Sequence, residues 1–267
     1  MRTIRSTMQI KRCPRVLALG CHPDDIEFMM GGTLLLLHEA GVELHYCNLS
    51  NGCLGTNTLS RQEIIQIREK EGRAAAAFLG ATFHPSMAED LEIFYESTLI
   101  RKVAALIRRV EPDILLLPST DDYMEDHMNT ARIGVTAAFS RSMQLYETIP
   151  AIPASDHQIS LYHALPYGLK NGMNIPVFPE FFVNITSVIG SKEHMLGLHE
   201  SQRGWLDSTQ QVGSYIQNMK RMAMEVGTLS QQFTFSEGWR RHNPLGFSEP
   251  TYDPLGVILD FCIGKWK

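Results

Sequence analysis

The sequence predicts a Rossmann-like α/β fold, a three-layer sandwich with a mostly parallel central sheet. Two observations carry this prediction: short apolar runs alternate with helical stretches of ten to twenty residues, and glycine or proline stands at most of the junctions. Near-continuous apolar strands between helices are typical of a parallel sheet that is covered on both faces.

Four strand–helix units make up the first half of the chain. The strands are short β-prone runs, of which DILLLPS is the most pronounced. The helices contain good helix formers and carry boundary signals: Gly41 and Gly80 end the first two, Ser60 caps the second, and Pro112 follows the third. In order, strands are predicted over 15–20, 42–50, 81–86 and 113–119, and helices over 31–41, 61–80, 96–111 and 128–143.

The pattern changes after about residue 145, where a proline-bearing connection begins. Further strands are predicted over 159–168 and 177–185, helices over 186–202 and 207–230, and an irregular, turn-rich end over 237–256. We therefore expect one domain over 1–267, with a Rossmann-like core at 15–145 and a C-terminal strand and helix elaboration at 146–267.

The composition of the chain excludes several classes of protein. A length of 267 residues with 44% hydrophobic content suffices for one sizeable core. The net charge of −5 and the absence of a long basic run argue against a nucleic-acid partner, and no apolar run is long enough to predict a membrane span. The basic start lacks an apolar stretch and is interpreted as a disordered arm rather than a secretory signal. The five irregularly spaced cysteines favour a reduced, cytoplasmic protein without a disulfide framework.

The stretch LALGCHPDDIEFMMGGTL places His22, Asp24 and Asp25 directly after the first predicted strand. In open parallel sheets, ligands bind beyond the carboxyl ends of the strands, where the strand order reverses. A strand order of 3-2-1-4-5 makes strands 1 and 4 neighbours, and His127 follows strand 4. We therefore expect His22, Asp25 and His127 to meet in space, although about a hundred residues separate them.

Neutral imidazoles and a carboxylate suit Zn²⁺, and a catalytic zinc keeps three protein ligands and a water. His22 and Asp25 are three apart in a turn, so their side chains can point the same way, whereas Asp24 points elsewhere. Asp24 is then free to accept a proton from the metal-bound water as a general base. Each residue alone is better explained as part of a polar turn, but the set at this position favours a working site.

The motif CHPDDIEFMMGGTL resembles the A-H-P-D-D-E signature of the PIG-L/LmbE-like metal-dependent deacetylases, and its Gly-Gly pair looks like that of the bacillithiol-pathway members. IREKEGRAAAAFLG, DILLLPS, EDH and LHESQ are similar to later family blocks in the same order, from about residue 15 to 202. The resemblance implies a Rossmann-like fold, a homo-oligomer, and a divalent metal, usually Zn²⁺, with Fe²⁺ or another metal as alternatives. It also implies hydrolysis of an N-acetyl group, typically on an N-acetylglucosaminyl compound or a related amino-sugar conjugate.

The family's functional residues can be carried over position by position. Metal ligands fall on His22, Asp25 and His127, and the general base falls on Asp24. These four residues are the same ones that the strand topology and metal chemistry select.

The chain departs from the family at Met124, where the H-x-D-H block commonly has a histidine that stabilises the oxyanion or protonates the leaving amine. Methionine cannot donate a proton. Three explanations stay open: Asp24 acts as both base and acid, another group such as His199 or Tyr123 supplies the proton, or the chain binds metal but turns over poorly. Asp126 is expected to support a ligand histidine without binding the metal itself.

The other candidate residues can each be explained by a substrate-binding role or by a purely structural role. Arg68 matches a block in which the family uses an arginine near the substrate, but a surface ion pair with Glu71 fits equally well. Asn51 either binds sugar hydroxyls or starts a turn, and His199 either contacts substrate or serves capping or core packing. Aromatic residues that could stack on a sugar ring, with core or subunit contacts as the preferred explanation, are Trp205, Tyr215 and Trp239. The two arginines of EGWRRH (237–242) could hold an anionic group, although a solvated turn is the preferred interpretation.

We therefore expect a zinc-dependent hydrolase that removes an acetyl group from an amino-sugar substrate. Metal-bound water would attack the amide carbonyl and Asp24 would take its proton. The main alternative, motivated by Met124, is a metal-binding module with weak or no hydrolysis. An Fe(II) oxygenase is disfavoured by the H-x-x-D spacing and the βα alternation, and a dehydrogenase by the lack of G-x-G-x-x-G after the first strand.

Overall fold

The computed structural model describes residues 12–202 and 215–265. The strands are β1 (Arg15–Gly20), β2 (Glu43–Asn48), β3 (Thr82–His84), β4 (Ile114–Leu117), β5 (Ser160–Ala164), β6 (Phe181–Asn184), β7 (Ser236–Arg241) and β8 (Ile263–Lys265). The α-helices are α1 (Asp25–Glu39), α2 (Arg61–Phe78), α3 (Ser97–Val110), α4 (Glu125–Phe139), α5 (Ile189–Gly197), α6 (Tyr215–Ser230) and α7 (Pro254–Ile258). No described helix has both the length and the apolar composition needed to cross a membrane.

The strands form a single sheet with the order β3-β2-β1-β4-β5-β7-β6-β8. β1 to β5 pair in parallel, whereas β7 runs antiparallel to β5 and β6, and β8 runs antiparallel to β6. The predicted Rossmann-like α/β fold and the order 3-2-1-4-5 are confirmed. The described part of residues 146–267 extends the same sheet by four strands, β5 to β8.

The sheet is buried on both faces, as the apolar strands predicted. Val16 and Ala18 of β1 pack with side chains from α1 and α2, whereas Leu17 and Leu19 pack with side chains from α3 and α4. Because successive strand side chains point to opposite faces, one apolar run supplies both cores.

The predicted start and end of α2 are confirmed in atomic detail. The Ser60 backbone N–H donates to Glu63 Oε2 at 2.9 Å, and the Glu63 N–H donates to Ser60 Oγ at 3.3 Å. This reciprocal capping box satisfies two amides at the helix start. Gly80, directly after the helix, takes a φ of 64°, a left-handed conformation that glycine adopts without strain.

Two helices begin earlier than the sequence predicted: α1 at Asp25 instead of residue 31, and α4 at Glu125 instead of 128. Acidic residues in the first turn of each helix favour these starts, because they lie near the positive end of the helix dipole. The glycine pair therefore lies inside α1. A Cβ on Gly32 would stand 2.5 Å from Ile185 Cγ2, so this glycine allows a neighbouring segment to approach the helix closely.

The prediction of an irregular end was wrong in part, because residues 236–241 form β7 between β5 and β6. The strand was not predicted because SEGWRR contains three charged residues. Glu237 is nevertheless buried, since its carboxylate accepts a hydrogen bond from Lys192 Nζ at 2.6 Å. Arg241 donates to the Tyr252 carbonyl, so EGWRRH is not a solvated turn.

Candidate metal centre and its pocket

Three side chains with metal-binding atoms meet where β1 and β4 end. His22 and Asp25 follow β1, and His127 lies in the first turn of α4, directly beyond β4. Asp25 Oδ2 lies 3.4 Å from His22 Nδ1 and 3.3 Å from His127 Nε2. Together with the buried Cys21, these residues place one potential ligand atom each within 4.8 Å of the others. The cluster could hold a metal ion.

The remaining ring nitrogen of each histidine faces a second carboxylate. His22 Nε2 lies 3.2 Å from Asp126 Oδ2, and His127 Nδ1 lies 3.2 Å from Asp122 Oδ2. A carboxylate that accepts an imidazole N–H fixes both the tautomer and the ring orientation. The nitrogens that face Asp25 are thereby the ones that could bind a metal ion.

The distances of the cluster fit a divalent cation. Zinc lies about 2.0–2.2 Å from nitrogen and oxygen ligands, so tetrahedral ligand atoms are about 3.3 Å apart. The measured separations of 3.4 Å and 3.3 Å around Asp25 Oδ2 match this value. Two imidazoles and one carboxylate are also the ligand types found at catalytic zinc sites.

The pKa values of the cluster residues depend strongly on one another. Burial disfavours the charge on Asp25, but His127 and His22 outweigh it, so the pKa of Asp25 is held well below its usual value. Burial likewise opposes the imidazolium of His127, yet Asp25 and Asp122 raise its pKa well above the ordinary value. Buried carboxylates thus stabilise positive charge at this point, whether a proton or a metal ion carries it.

Asp24 lies beside the cluster and also lines the cavity. Its side chain pairs with Arg68 and not with the two histidines. Asp24 is the N-cap of α1, with a φ of 123° that only glycine adopts without strain. Its Oδ2 lies 3.2 Å from Arg68 Nη2, and Arg68 also donates to the Pro23 carbonyl. Burial and the neighbouring Asp25 raise the pKa of Asp24, while Arg68 opposes the shift.

A cavity of about 240 Å³ opens next to the cluster and is lined by His22, Asp24, Asp25 and His127. Met124, at the N-cap of α4, also lines it. Much of the remaining lining is apolar and aromatic, with the side chains of Phe28, Leu54, Leu91, Tyr123, Tyr167 and Tyr215. The cavity thus joins the candidate metal centre to an apolar surface.

The structure excludes one of the two explanations of Arg68. Arg68 lines the cavity and is 3% exposed, so the alternative of a surface ion pair with Glu71 is wrong. Glu71 instead accepts hydrogen bonds from the Ser201 amide at 2.8 Å and the Ser201 hydroxyl at 2.7 Å. Arg68 and Glu71 lie three residues apart on one helix, as predicted, but both side chains point into the protein interior.

The other predicted substrate residues lie away from the cavity wall. Asn51 lines a separate cleft beyond Arg68, and its Oδ1 accepts the Cys53 amide in a turn. His199 is buried, with Nε2 3.3 Å from Glu27 Oε2. Trp239 is a core residue, as preferred from the sequence, and Trp205 lies outside the described residues.

Sequence reasoning missed several residues around the centre. Asp122 is the second of two adjacent carboxylates that precede His127, and Cys21 adjoins His22, so sequence proximity was an available signal for both. Tyr167 gave no such signal, because it lies in the C-terminal part of the chain and reaches the cavity only through the fold.

Comparison with known proteins identifies the relatives of this chain. The profile of the PIG-L family, described as GlcNAc-PI de-N-acetylase, matches residues 17–138. Diacetylchitobiose deacetylase of Thermococcus kodakarensis is 27% identical over 197 residues, which cover 70% of each chain. The structure of N,N'-diacetylchitobiose deacetylase from Pyrococcus horikoshii superposes with a TM-score of 0.73 at 23% identity, covering 93% of this chain and 91% of the other.

A protein with a different activity has the same fold. The 4-carboxy-2-hydroxymuconate hydratase of Pseudomonas putida superposes with a TM-score of 0.71 at 20% identity, covering 86% of this chain and 97% of the other. The fold alone therefore does not decide the reaction. The match to the family profile includes the whole HPDD motif and His127. Residues 17–138 of the chain thus resemble the PIG-L family.

Proposed function

We propose that the protein is a metal-dependent hydrolase that removes the acetyl group from an N-acetylglucosaminyl compound. The observation that carries the proposal is the convergence of His22, Asp25 and His127 beside Asp24, at the edge of one cavity. The named activity of the Thermococcus relative supports an N-acetylated sugar as the substrate class.

We assign the metal-holding role to His22, Asp25 and His127, with Asp126 and Asp122 orienting the two imidazoles. The ligand types favour Zn²⁺ among divalent metals. A divalent ion in this position supplies an activated water and polarises the amide carbonyl.

Asp24 takes the general-base role because it faces the same cavity without sharing in the short contacts around Asp25 Oδ2. Its carboxylate accepts the proton of the attacking water and returns it to the departing amine, so that acetate and a free amine result. Arg68, at 3.2 Å, holds the carboxylate in place.

The departing amine must receive a proton, and Met124 cannot supply it. Its thioether lines the cavity and has no proton to give. Tyr123 also lines the cavity, and burial raises the pKa of its phenol, which therefore stays protonated at neutral pH. Tyr123 can donate a hydrogen bond there, while Asp24 serves as both base and acid.

Metal analysis combined with acetate release from N-acetylglucosamine conjugates tests the proposal. We expect about one equivalent of metal, and a loss of about 10²- to 10⁴-fold in kcat in Asp24→Asn with metal content unchanged. His127→Ala should lose the metal as well as the activity. An unchanged rate in Asp24→Asn would remove Asp24 from the mechanism.

The same assays separate this proposal from its alternatives. Stoichiometric metal without acetate release from any conjugate would favour a binding module, the alternative that Met124 motivates. Hydration of an unsaturated carboxylate, the activity class of the Pseudomonas neighbour, without acetate release from any conjugate would favour a hydratase instead.

A further inference from the structure

We propose that the group attached to the amino sugar of the substrate is uncharged and apolar, such as an aryl or alkyl group. This inference rests on the proposed deacetylase function, because it assigns the part of the cavity that the acetamido group does not use. Aromatic ring geometry and the charge balance of the cavity carry it.

Four aromatic rings form a continuous wall of the cavity beside the metal centre. The ring of Tyr123 lies 5.9 Å from that of His127 and 6.1 Å from that of Tyr167. Tyr167 lies 5.1 Å from Phe28, which lies 5.5 Å from Tyr215. Such centroid distances are those of interacting aromatic pairs, so the rings brace one another as a rigid surface.

This wall suits a flat or aliphatic group in contact with it. Rigid aromatic side chains lose little entropy on binding and offer large apolar areas. A group that extends from a sugar held at the cluster would pass Tyr123 first and Tyr167 next. Burying a phenyl or hexyl group there corresponds to about a ten- to hundred-fold gain in affinity.

The described lining offers an anionic group at the aromatic wall no free cation. The carboxylates of Asp24 and Asp90 line the same cavity, whereas the charge of Asp25 would be offset by the metal ion that it holds. Arg68, the lining cation of the described part, is already bound by Asp24 and the Pro23 carbonyl. A carboxylate or phosphate brought against the aromatic wall would lose water without gaining a charged partner among the described residues.

Asp90 does not alter this balance, because its oxygens serve the loop that carries Leu54. Oδ1 accepts the Gly52 amide at 2.8 Å, and Oδ2 accepts the Leu54 amide at 2.9 Å. These bonds hold Leu54 against the cavity, where it adds to the apolar lining. Asp90 is therefore a support of the apolar pocket.

The test compares kcat/KM of the metal-loaded enzyme for three substrates. They are phenyl N-acetylglucosaminide, free N-acetylglucosamine, and the N-acetylglucosaminide of a hydroxy-dicarboxylic acid. We expect the phenyl glycoside to exceed the free sugar about ten- to hundred-fold, and the dicarboxylate conjugate to be no better than the free sugar. A preference for the dicarboxylate conjugate would overturn the inference.

Variants of Tyr167 test whether its ring makes the contact that favours the phenyl glycoside. Tyr167→Ala should lower kcat/KM for the phenyl glycoside about ten-fold more than for the free sugar, and Tyr167→Phe should retain the phenyl advantage. Tyr95→Ala is the matched control, because Tyr95 is a partly exposed tyrosine at 46% exposure and does not line the cavity. Equal losses for both substrates in Tyr167→Ala would contradict the assigned contact.

Calorimetric binding of the deacetylated products separates failure of this inference from failure of the proposed function. Phenyl glucosaminide should bind the metal-loaded protein more tightly than the glucosaminide of the dicarboxylic acid, even if no substrate is hydrolysed. Absence of hydrolysis with this binding preference would refute the deacetylase activity alone. Hydrolysis without the preference would refute the apolar group alone.

Discussion

At the scale of single residues, Asp24 combines a strained backbone with a buried ion pair. Its φ of 123° and ψ of −21° lie where side-chain-bearing residues clash, and its carboxylate lies 3.2 Å from Arg68. Backbone strain of this kind persists where the surrounding structure over-determines it, and it clusters at functional sites. At Asp24 the strained backbone and the contact with Arg68 coincide in one residue of the candidate site.

Comparing two substitutions at this position measures the strain. Asp24→Gly should be more stable than Asp24→Ala by about 1–2 kcal/mol, because glycine accepts the positive φ. Both variants remove the partner of Arg68, so that loss cancels in the comparison. Urea unfolding of the metal-free variants measures the difference, and equal midpoints would show that φ carries no strain here.

His163 offers a second residue-scale prediction, in pH-dependent stability. Burial lowers the pKa of His163 to about 4, with smaller contributions from His242 and Arg240. Its Nδ1 donates to the Pro118 carbonyl at 2.9 Å, and its Nε2 lies 3.1 Å from His242 Nδ1. The unfolded chain therefore binds a proton at higher pH than the folded one, and stability should fall as pH drops from about 6.5 towards 4.

Unfolding at pH 7 and pH 5 tests this linkage. The free energy of unfolding of the native protein should fall by about 1–2 kcal/mol more between these pH values than that of His163→Gln. His38→Gln, at an exposed position of α1, is the control and should retain the native pH dependence. An identical pH dependence in His163→Gln would show that His163 titrates normally in the fold.

At the scale of elements, α1 is fixed from behind by β7. The Glu237 carboxylate accepts the Gly32 and Thr33 amides at 2.7 Å each and the Thr33 hydroxyl at 2.6 Å. It also pairs with Lys192 of α5 at 2.6 Å, and both charged side chains are buried. One buried carboxylate thereby locks α1, which carries Asp25 at its start, to the C-terminal part of the sheet.

A double-mutant cycle on this pair should show strong coupling. Glu237→Gln and Lys192→Met should each cost about 3–5 kcal/mol, because each leaves a buried charge without its partner. The double variant should cost less than the sum of the two losses, since neither charge is then present. Denaturant unfolding of all four proteins gives the coupling energy, and additive losses would show that the ion pair contributes nothing of its own.

At the scale of the whole molecule, the sheet order joins two distant segments at one centre. β1 and β4 are parallel neighbours, so the loops that follow them meet although they lie far apart in the chain. A metal ion bound by both loops would cross-link them in the folded protein, whereas the unfolded chain keeps them apart.

Metal binding should therefore stabilise the fold. At a free Zn²⁺ concentration of about a hundred times Kd, the free energy of unfolding should rise by about 2.7 kcal/mol over the chelator-treated protein. Thermal or denaturant unfolding with and without chelator measures the gain. His127→Ala should show little or none of it, and an equal gain in this variant would place the metal elsewhere.

Much of the fold is predictable from the sequence, because local periodicity and boundary residues define the first four strand–helix units. β7 escaped prediction because its buried Glu237 depends on Lys192, 45 positions away, which a local pattern cannot show. The start of α1 was misplaced because Gly31 and Gly32 suggested a boundary, whereas they serve close packing inside the helix.

Much of the candidate site is also predictable from the sequence. His22, Asp25 and His127 follow neighbouring parallel strands, and the rule that such strands bring their carboxyl ends together is enough to predict that they meet. Asp122 and Tyr167 were not found, because their parts depend on side-chain direction and on contacts between separate segments. The placement of Asn51 outside the cavity has the same cause, since its side chain turns back to its own loop.

The lock between Glu237 and α1 also has a consequence for biosynthesis. A ribosome delivers His22 and Asp25 early, His127 about a hundred residues later, and Glu237 about a hundred residues after that. Until that last segment has left the exit tunnel, β7 cannot hold α1 in place behind the cluster. We therefore expect α1 to reach its final position only after β7 has been synthesised.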